Sequence, residues 1–424
     1  MNLLLCLVCT MLLPLAAAGL GMIHQGLGRS RSAAHAMLAT LCAVGISAIL
    51  FVLIGCAWAG IAGGPAHCFV AGGKHWDWLG AAAFFPNGIS AGTAGAPGFS
   101  KALTLCLGMF AAGLAAMVPL SAGTDRWRLA PICIASAGLA GFGFPLFVHW
   151  VWGGGWLAQL GLNFSLGAGF QDPAGAATVH VLGGMAALVV VWLAGPRKGK
   201  FPPGRFATAM PGHNAVYILF GCLLALAGWL AFNVAGAVLW LHAPLSALPG
   251  AAVNTLLSAS GAVAATFAVT RIRFGKPDAS LCANGWLAGL VASSATAGIV
   301  TPVQGLVIGL VAGVLTPLLV EVLELAVSVD DPSGAIAVHG AGGLWGLIAA
   351  GALAPQAGQL LAQLVGIAAL IGIALPLVYL LLWVVNRFVP LRVEQDGERI
   401  GMDLHELGGG AYPEFVIHRD DSYR

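Results

Sequence analysis

The sequence predicts an all-α membrane protein with eleven transmembrane helices, which form two inverted five-helix repeats followed by a final helix. Three observations predict this fold class: the composition, the positions of the basic residues and a motif that occurs twice. Charged residues make up 8% of the 424 residues, against about 25% in soluble domains, and the mean hydropathy is +0.92. The net charge of +2 and the lack of a Lys- or Arg-rich run exclude nucleic acid as a partner.

Apolar runs long enough to cross a hydrocarbon layer of about 30 Å occur eleven times. In chain order they cover residues 3–22, 36–61, 100–120, 130–152, 173–195, 212–234, 246–269, 279–298, 302–327, 333–353 and 359–386. The two repeats are expected at about 1–195 and 212–353, with the eleventh helix at 359–386. Residues 1–386 then form the membrane domain, and residues 387–424 form a cytoplasmic C-terminal tail.

The basic residues predict the orientation, because cytoplasmic loops hold an excess of Lys and Arg. With the N-terminus outside, sixteen of the eighteen basic residues fall on the inner side, and the exceptions are Lys74 and Lys101. We therefore expect a plasma-membrane protein, in the inner membrane of a bacterium, with its C-terminus in the cytoplasm. Residues 62–99, rich in Gly and Pro and holding Trp76 and Trp78, are expected to form a long external loop.

The first apolar run has a second interpretation as a signal peptide, because Ala16-Ala17-Ala18 resembles a cleavage region. No basic residue precedes the run, which favours a retained span. Cys6 and Cys9 form a CxxC pair inside it. Without a second such pair we expect small packing residues there, and neither a metal nor another cofactor.

The repeated motif supplies the candidate site. Residues 172–184, DPAGAATVHVLGG, occur again as residues 331–343, DPSGAIAVHGAGG, and eight of the thirteen positions are identical. In each copy an Asp able to cap a helix precedes a Pro, which suits a first helical turn because its missing N–H is not needed there. Asp172 and Asp331 therefore predict helix starts. His180 and His339 lie eight residues further on, at a depth of roughly 12 Å.

The two copies are separated by five spans, so their helices are expected to run in opposite directions. Inverted repeats of this kind build transporters whose functional site lies near the membrane midplane. A pseudo-two-fold axis in the membrane plane brings His180 and His339 side by side. The sequence therefore predicts a buried pair of imidazoles, which stay neutral in apolar surroundings and each offer one donor and one acceptor nitrogen.

Further motifs accompany the repeat along the chain. In order they are Gly26-Leu27-Gly28-Arg29, His149-Trp150-Val151-Trp152-Gly153-Gly154-Gly155, Asp172-Pro173-Ala174-Gly175 with His180, His213-Asn214, Trp229 to Asn233, Asp330-Asp331-Pro332 with His339, Gly401-Met402-Asp403-Leu404-His405 and Ala411-Tyr412. Each is weak alone, but their order and spacing together are specific. Over nearly its whole length the chain resembles the ammonium transporter, methylammonium permease and Rhesus family.

The resemblance implies a homotrimer with one pore per subunit, ammonium or ammonia as the substrate, no enzymatic activity, and a functional twin-His pair at His180 and His339. The physics of the spans agrees, since they offer almost nothing to replace the hydration shell of an ion. Ammonium, unlike potassium, is able to lose a proton and cross as neutral ammonia. The imidazole pair is then suited to accept ammonia, to relay a proton, or to do both.

At the external side the resemblance implies that Trp152 recruits ammonium and that Phe232 is one of two stacked rings closing the pore beneath it. A Trp face binds a desolvated cation with about 2 kcal/mol. Asp172 has two interpretations, as a helix cap or as the residue that binds ammonium. Asp331 occupies the same place on the cytoplasmic side, which favours the cap as the main role of both residues.

Two positions depart from the family pattern. The third-span aromatic that gates the pore and binds the cation falls on Ala111, with Phe110 one residue away, and one residue turns a helix by about 100°. Four residues after Phe232, where many members have a Ser hydroxyl, this chain has Gly236. These two residues therefore predict a lower affinity for ammonium, whereas the pathway along the two imidazoles is expected to be unchanged.

These departures leave two alternative functions open. One is an ammonium-sensing receptor that transports little or nothing, and the other is a Rhesus-like neutral gas channel for ammonia or carbon dioxide. The resemblance also implies that the tail from Arg387 contacts neighbouring subunits. A PII signalling protein is a further partner that the resemblance suggests at the cytoplasmic face.

Overall fold

The computed structural model describes residues 2–60, 65–85 and 97–412. The predicted tail residues 413–424 and parts of the predicted external loop lie outside these ranges. Long helices in the described part end within six residues of the predicted runs. They are α1 (Leu3–Leu27), α2 (Ser30–Ala59), α3 (Gly98–Ala122), α4 (Leu129–Val151), α5 (Ala176–Ala194), α6 (Ala215–Leu239), α7 (Leu245–Phe274), α8 (Ala279–Thr296), α9 (Pro302–Leu325), α10 (Ile336–Leu353) and α11 (Gln359–Phe388).

Ten of these helices are long and apolar enough to cross a membrane, and α8 is not among the ten. Helix α8 carries buried polar side chains that bond to α6. Asn233 of α6 donates to Ser293 (2.9 Å) and accepts from the Ser294 hydroxyl (3.0 Å). Such internal partners are what a polar helix needs in a bilayer. The predicted class of helical membrane protein is confirmed, while the count of eleven spans stays a prediction.

The segment predicted as a long external loop contains a hairpin in its described part, which the sequence analysis did not predict. Strands β1 (Ala66–Ala71) and β2 (Lys74–Gly80) form an antiparallel hairpin. Gly72 and Gly73 form its two-residue turn with φ of +59° and +73°, as tight hairpins require. The hairpin packs on α4 and the segment after it, where Trp150 Nε1 donates to the Trp78 carbonyl (2.8 Å). We call this end of the bundle the hairpin end.

The opposite end, which we call the basic end, holds a buried network of ion pairs. Arg197 donates to both carboxylate oxygens of Asp330 (3.0 and 2.9 Å) and to Asp125 (3.1 Å). Arg126 lies 3.6 Å from Asp330. Burial alone raises the pKa of Asp330, but the hydrogen bond from Arg197 and the charges of Arg126 and Arg197 bring it below its ordinary value.

The tail folds back onto the basic end. The carboxylate of Asp403 accepts from the backbone N–H groups of Ala34 (3.2 Å) and His35 (2.8 Å), and so caps α2. Glu406 contacts the His35 ring (2.9 Å) and accepts from the Leu129 N–H at the start of α4 (2.8 Å). The described part of the tail is therefore an integral part of the bundle.

Candidate functional site

Both copies of the repeated motif lead into helices, but each helix starts after a turn. Pro173 and Pro332 lie in these turns and not in the first helical turn, so their predicted position is wrong. The physical reason is the glycine that follows each proline by two residues. Gly175 has φ +83° and Gly334 has φ +68°, a left-handed conformation that turns the chain before the helix begins.

The two carboxylates reach across these turns to the helix starts. Asp172 Oδ2 accepts from the backbone N–H (2.8 Å) and the hydroxyl (3.0 Å) of Thr178, and Asp331 Oδ2 accepts from the Ile336 N–H (2.8 Å). Both satisfy N–H groups that the helix leaves unpaired. Asp331 Oδ1 also accepts from the Ser333 hydroxyl (3.3 Å). Within the described residues Asp172 Oδ1 has no hydrogen-bond partner.

The rings of His180 and His339 lie in contact at the centre of the bundle. Their Nδ1 atoms are 3.2 Å apart and their exposed fractions are 0% and 1%. Helix α5 starts at the hairpin end and α10 starts at the basic end, so the two imidazoles come from helices that run in opposite directions. One Nδ1 donates to the other, and the tautomers decide which.

A tryptophan supports the pair from one side. The Trp229 ring of α6 stacks on His180 with ring centres 5.1 Å apart and an angle of 10°. In the described part of the chain the other ring nitrogen of His180, Nε2, has no hydrogen-bond partner. The pair therefore combines an internal hydrogen bond with a buried His180 nitrogen that has no partner among the described residues.

A cavity of about 510 Å³ lies at the hairpin end. Its walls come from the end of α4, the turn before α5, the end of α6 and the start of α3. The lining residues are Leu3, Ser100, Thr104, Val151, Trp152, Ala158, Ala168, Phe170, Gln171, Asp172, Pro173, Val238, Leu239, Trp240, Leu241 and His242. We call it the outer cavity. Two of the predicted recruitment residues, Trp152 and Asp172, line it together.

Trp152 is held by two contacts at the outer cavity. Its Nε1 donates to the backbone carbonyl of Asp172 (2.6 Å). Its ring stacks on Trp240 with ring centres 4.8 Å apart and an angle of 4°. Trp240 was not predicted from the sequence, although it directly follows α6 and continues the four-residue spacing of Phe232 and Gly236.

Phe232 lies deeper than the outer cavity and is 1% exposed. It is three residues from Trp229 on α6, so it lies between the cavity and the His pair. Gly236 lies against the turn before α5, where a Cβ would overlap the carbonyl oxygen of Pro173. A serine hydroxyl is therefore excluded at this position by the close approach of α6.

The structure does not bring the remaining two predicted recruitment residues to Trp152. Ala111 is buried in the core of the bundle, and Phe110 is partly buried beside it. Among the described residues neither lines the outer cavity, which α3 reaches through Ser100 and Thr104. The described residues also contain no group of three or more His, Cys, Asp or Glu side chains able to hold a metal ion.

A helical bundle with ten apolar spans, a central imidazole pair and an aromatic cavity at one end defines a polytopic channel or transporter. The model of the Ammonium Transporter Family matches residues 4–412. The chain belongs to the ammonium transporter family, and it is not an enzyme.

Known proteins of this family are similar over almost the full chain. Ammonium transporter Amt2 of Archaeoglobus fulgidus is 32% identical, covering 97% of this chain and 88% of that protein. The ammonium transporter of Bacillus subtilis is 29% identical, covering 95% and 96%.

Solved structures share the fold. A structure described as a sensor Amt protein has a TM-score of 0.85 and 25% identity, covering 96% of this chain and 98% of that one. Candida albicans Mep2 has a TM-score of 0.80 and 23% identity, covering 98% and 90%. Rh50 of Nitrosomonas europaea has a TM-score of 0.72 and 23% identity, covering 97% and 94%.

Proposed function

We propose that this protein recruits ammonium in the outer cavity, removes one proton, and passes ammonia through the bundle along His180 and His339. The contact of 3.2 Å between the two Nδ1 atoms carries the proposal. Two polar rings buried at the centre of an apolar bundle are expensive unless they hydrogen-bond. Their position on oppositely directed helices suits a pathway that runs from one end to the other.

The apolar surroundings of the pair explain why ammonia and not an ion is the transported species. A charge moved into an apolar interior loses its hydration at a cost of several kcal/mol or more. Potassium has no means of avoiding this cost. Ammonium avoids it by giving up its proton before it enters the apolar region, and the proton crosses separately along the imidazole pair.

Recruitment is supported by an aromatic wall and one free carboxylate oxygen. Trp152 and Trp240 present a stacked pair of indoles to the outer cavity, and indole faces attract cations. The free Oδ1 of Asp172 adds a negative charge beside them. We propose that Trp240 takes the part of the aromatic that Ala111 does not supply.

Deprotonation is assigned to the passage from the outer cavity to the pair. Phe232 lies on α6 between the outer cavity and Trp229, so a cation that leaves the aromatic wall meets a buried apolar side chain. The free Nε2 of His180 is the first described ring nitrogen beyond it that is available to accept a hydrogen bond. A proton is able to move along the two imidazoles through their shared Nδ1 contact, with each ring changing tautomer.

A sensor is the second candidate function, and two observations favour it. The structural neighbour described as a sensor Amt protein has a TM-score of 0.85, and Phe232, on α6 between the outer cavity and the His pair, is buried. A neutral gas channel is the third candidate. Two observations support it. Ala111 and Gly236 supply neither the aromatic ring nor the hydroxyl of the family's cation site, and the fold is similar to that of Rh50.

We also propose a homotrimer in the plasma membrane, with the N-terminus outside and the basic end in the cytoplasm. A PII signalling protein then has access to the basic end. Native mass spectrometry of the purified protein tests the trimer, and labelling of single cysteines introduced at Lys74 and Lys198 from either side of intact cells tests the orientation.

One experiment separates the three functions. The full chain is reconstituted in vesicles and exposed to a jump in ammonium concentration. A transporter gives a current, a sensor binds ammonium without current or flux, and a gas channel changes the internal pH without current. We expect a current with ammonium and none with potassium.

His180→Ala and His339→Ala are each expected to change the ammonium current by tenfold or more, about 1.4 kcal/mol, because each breaks the Nδ1 contact. His67→Ala, on the exposed hairpin, is the matched control and is expected to leave the current unchanged. Unaltered currents in both pore variants would rule out the relay.

A further inference from the structure

A second, much smaller cavity lies at the basic end. It has a volume of about 20 Å³, which exceeds the roughly 10–15 Å³ that one water molecule needs. The end of α1, the start of α2 and the turn after α3 enclose it. The lining residues are His24, Ser32, His35, Ala36, Ala39, Leu120, Gly123, Thr124, Asp125, Trp127 and Ile132. We call it the inner cavity.

Three polar atoms on these lining residues lack a partner. Within the described part of the chain, His24 Nδ1, Ser32 Oγ and Trp127 Nε1 make no hydrogen bond. The three side chains are buried, with exposed fractions of 4%, 2% and 2%. Buried polar atoms are almost always satisfied by protein or by ordered water. Three such atoms on the residues of one cavity therefore indicate a site for a small molecule that forms hydrogen bonds.

The tail explains why the Ser32 hydroxyl is free. Ser32 precedes the first residue of the regular α-helical part of α2, where a serine normally accepts from the helix N–H groups. Asp403 of the tail takes this role by accepting from Ala34 and His35. The Ser32 side chain makes no capping bond and remains available to the inner cavity.

We propose that the inner cavity is a binding site for one small neutral molecule with both donor and acceptor capacity, water or ammonia. Trp127 Nε1 is a donor only, so the occupant must offer a lone pair. Ammonium has no lone pair and is excluded. The Ser32 hydroxyl and His24 Nδ1 then accept from the occupant or donate to it.

The site does not depend on the proposed pathway. Asp125, in the wall of the inner cavity, connects it to Arg197 of the buried network at the basic end. Water fits the site whether or not the protein transports ammonia. The proposed site can therefore be tested independently of the transport function.

Direct observation is the first test. A crystal structure of the full chain that resolves ordered waters is expected to show one density peak within hydrogen-bond distance of Trp127 Nε1 and of His24 or Ser32. An empty inner cavity would overturn the proposal.

Thermal unfolding of the full-length protein in detergent is the second test. It compares the unfolding midpoints of two Trp→Phe variants. Trp127→Phe deletes buried indole volume and, in the occupied site, also a hydrogen bond, so it is expected to lower the unfolding midpoint by about 2 °C more than a Trp→Phe change at a buried indole outside the inner cavity. Trp229→Phe is the matched control, because Trp229 is as buried as Trp127 and its Nε1 also lacks a described partner. A midpoint for Trp127→Phe equal to or above that of Trp229→Phe contradicts the proposal.

A third measurement identifies the occupant. The ring nitrogens of ¹⁵N-histidine-labelled protein are followed by NMR while ammonium chloride or potassium chloride is added, and His24→Gln assigns the signal. A shift of the His24 signal with ammonium alone identifies ammonia. A signal that responds equally to both salts, together with the density peak, identifies water.

Discussion

The two copies of the thirteen-residue motif make the same turn and deliver the same imidazole, yet the carboxylates in front of the two helices differ in their surroundings. Asp172 keeps one oxygen without a described partner and lines the outer cavity. Both oxygens of Asp331 are used, one by Ser333 and one by Ile336. In the second copy the carboxylate uses both oxygens for structure, whereas in the first copy one buried oxygen beside the outer cavity has no described partner.

The neighbouring residue increases the contrast. Asp330, directly before the second copy, is held by Arg197 and Arg126 in the buried network at the basic end. The corresponding residue of the first copy is Gln171, whose backbone is held by Gln363. The residue before the first copy is therefore held by neutral hydrogen bonds. The residue before the second copy is held by buried ion pairs.

The largest expected effect is a loss of stability when the charge next to the second copy of the motif is removed. Asp330→Asn leaves the guanidinium groups of Arg197 and Arg126 buried with part of their countercharge removed, and we expect a loss of about 3–5 kcal/mol in stability. Thermal or denaturant unfolding of the purified protein measures it. The control is Asp396→Asn, an exposed residue paired with Arg399, which should change little. Equal midpoints for the two variants would show that the network contributes nothing.

The wild-type protein and Asp330→Asn are also expected to differ in how their stability depends on pH. The folded pKa of Asp330 lies below its unfolded value of about 3.9. Its stabilising contribution is therefore fully present above that value and is lost as the pH falls through the folded pKa. We expect wild-type protein to lose more stability than Asp330→Asn between about pH 5 and pH 3. Parallel losses in both proteins would refute this assignment.

Removing one charge from each copy sharpens the comparison. Asp172→Asn keeps an oxygen to accept from Thr178 but loses the charge at the outer cavity, so the half-saturating ammonium concentration should rise by about tenfold, or 1.4 kcal/mol. Asp331→Asn should leave that concentration unchanged and cost about 1 kcal/mol of stability as a weakened cap. Current against ammonium concentration and unfolding midpoints measure both. Identical behaviour of the two variants would remove the distinction between the copies.

The smallest expected effect concerns the aromatic wall of the first copy. Trp240→Leu removes the ring stacked on Trp152, and the half-saturating ammonium concentration should rise about fivefold, as expected for about 1 kcal/mol of cation–π attraction. Trp192→Leu, at an exposed position on the outside of α5, is the control. If both variants keep the wild-type affinity, Trp240 has no part in recruitment.

Much of the fold follows from hydropathy and from two glycine-bearing turns. The apolar runs predict the helices because a bilayer-spanning chain must satisfy its backbone internally. Helix α8 was found despite its Asn and Ser residues, which bond within the bundle. The hairpin was not predicted, although Gly72-Gly73 is a strong turn signal, because the Gly and Pro content of the segment indicated a loop and its strands are short.

The site was only partly predictable. The repeat brings His180 and His339 together on sequence grounds alone, since position and direction are both encoded in the spacing. The exclusion of a side chain at Gly236 depends on how closely α6 approaches the turn before α5, and helix-to-helix distances leave no periodic signal in the sequence. The free Ser32 hydroxyl depends on a cap that Asp403 supplies to Ala34 and His35 from 369 and 368 residues away, which no local pattern reveals.

That distant cap has a consequence for biosynthesis. The ribosome releases the residues of α2 long before it makes Asp403, so a nascent chain carries an open second helix until translation is nearly finished. Products that end before Asp403 lack this carboxylate and leave the backbone N–H groups of Ala34 and His35 without their cap.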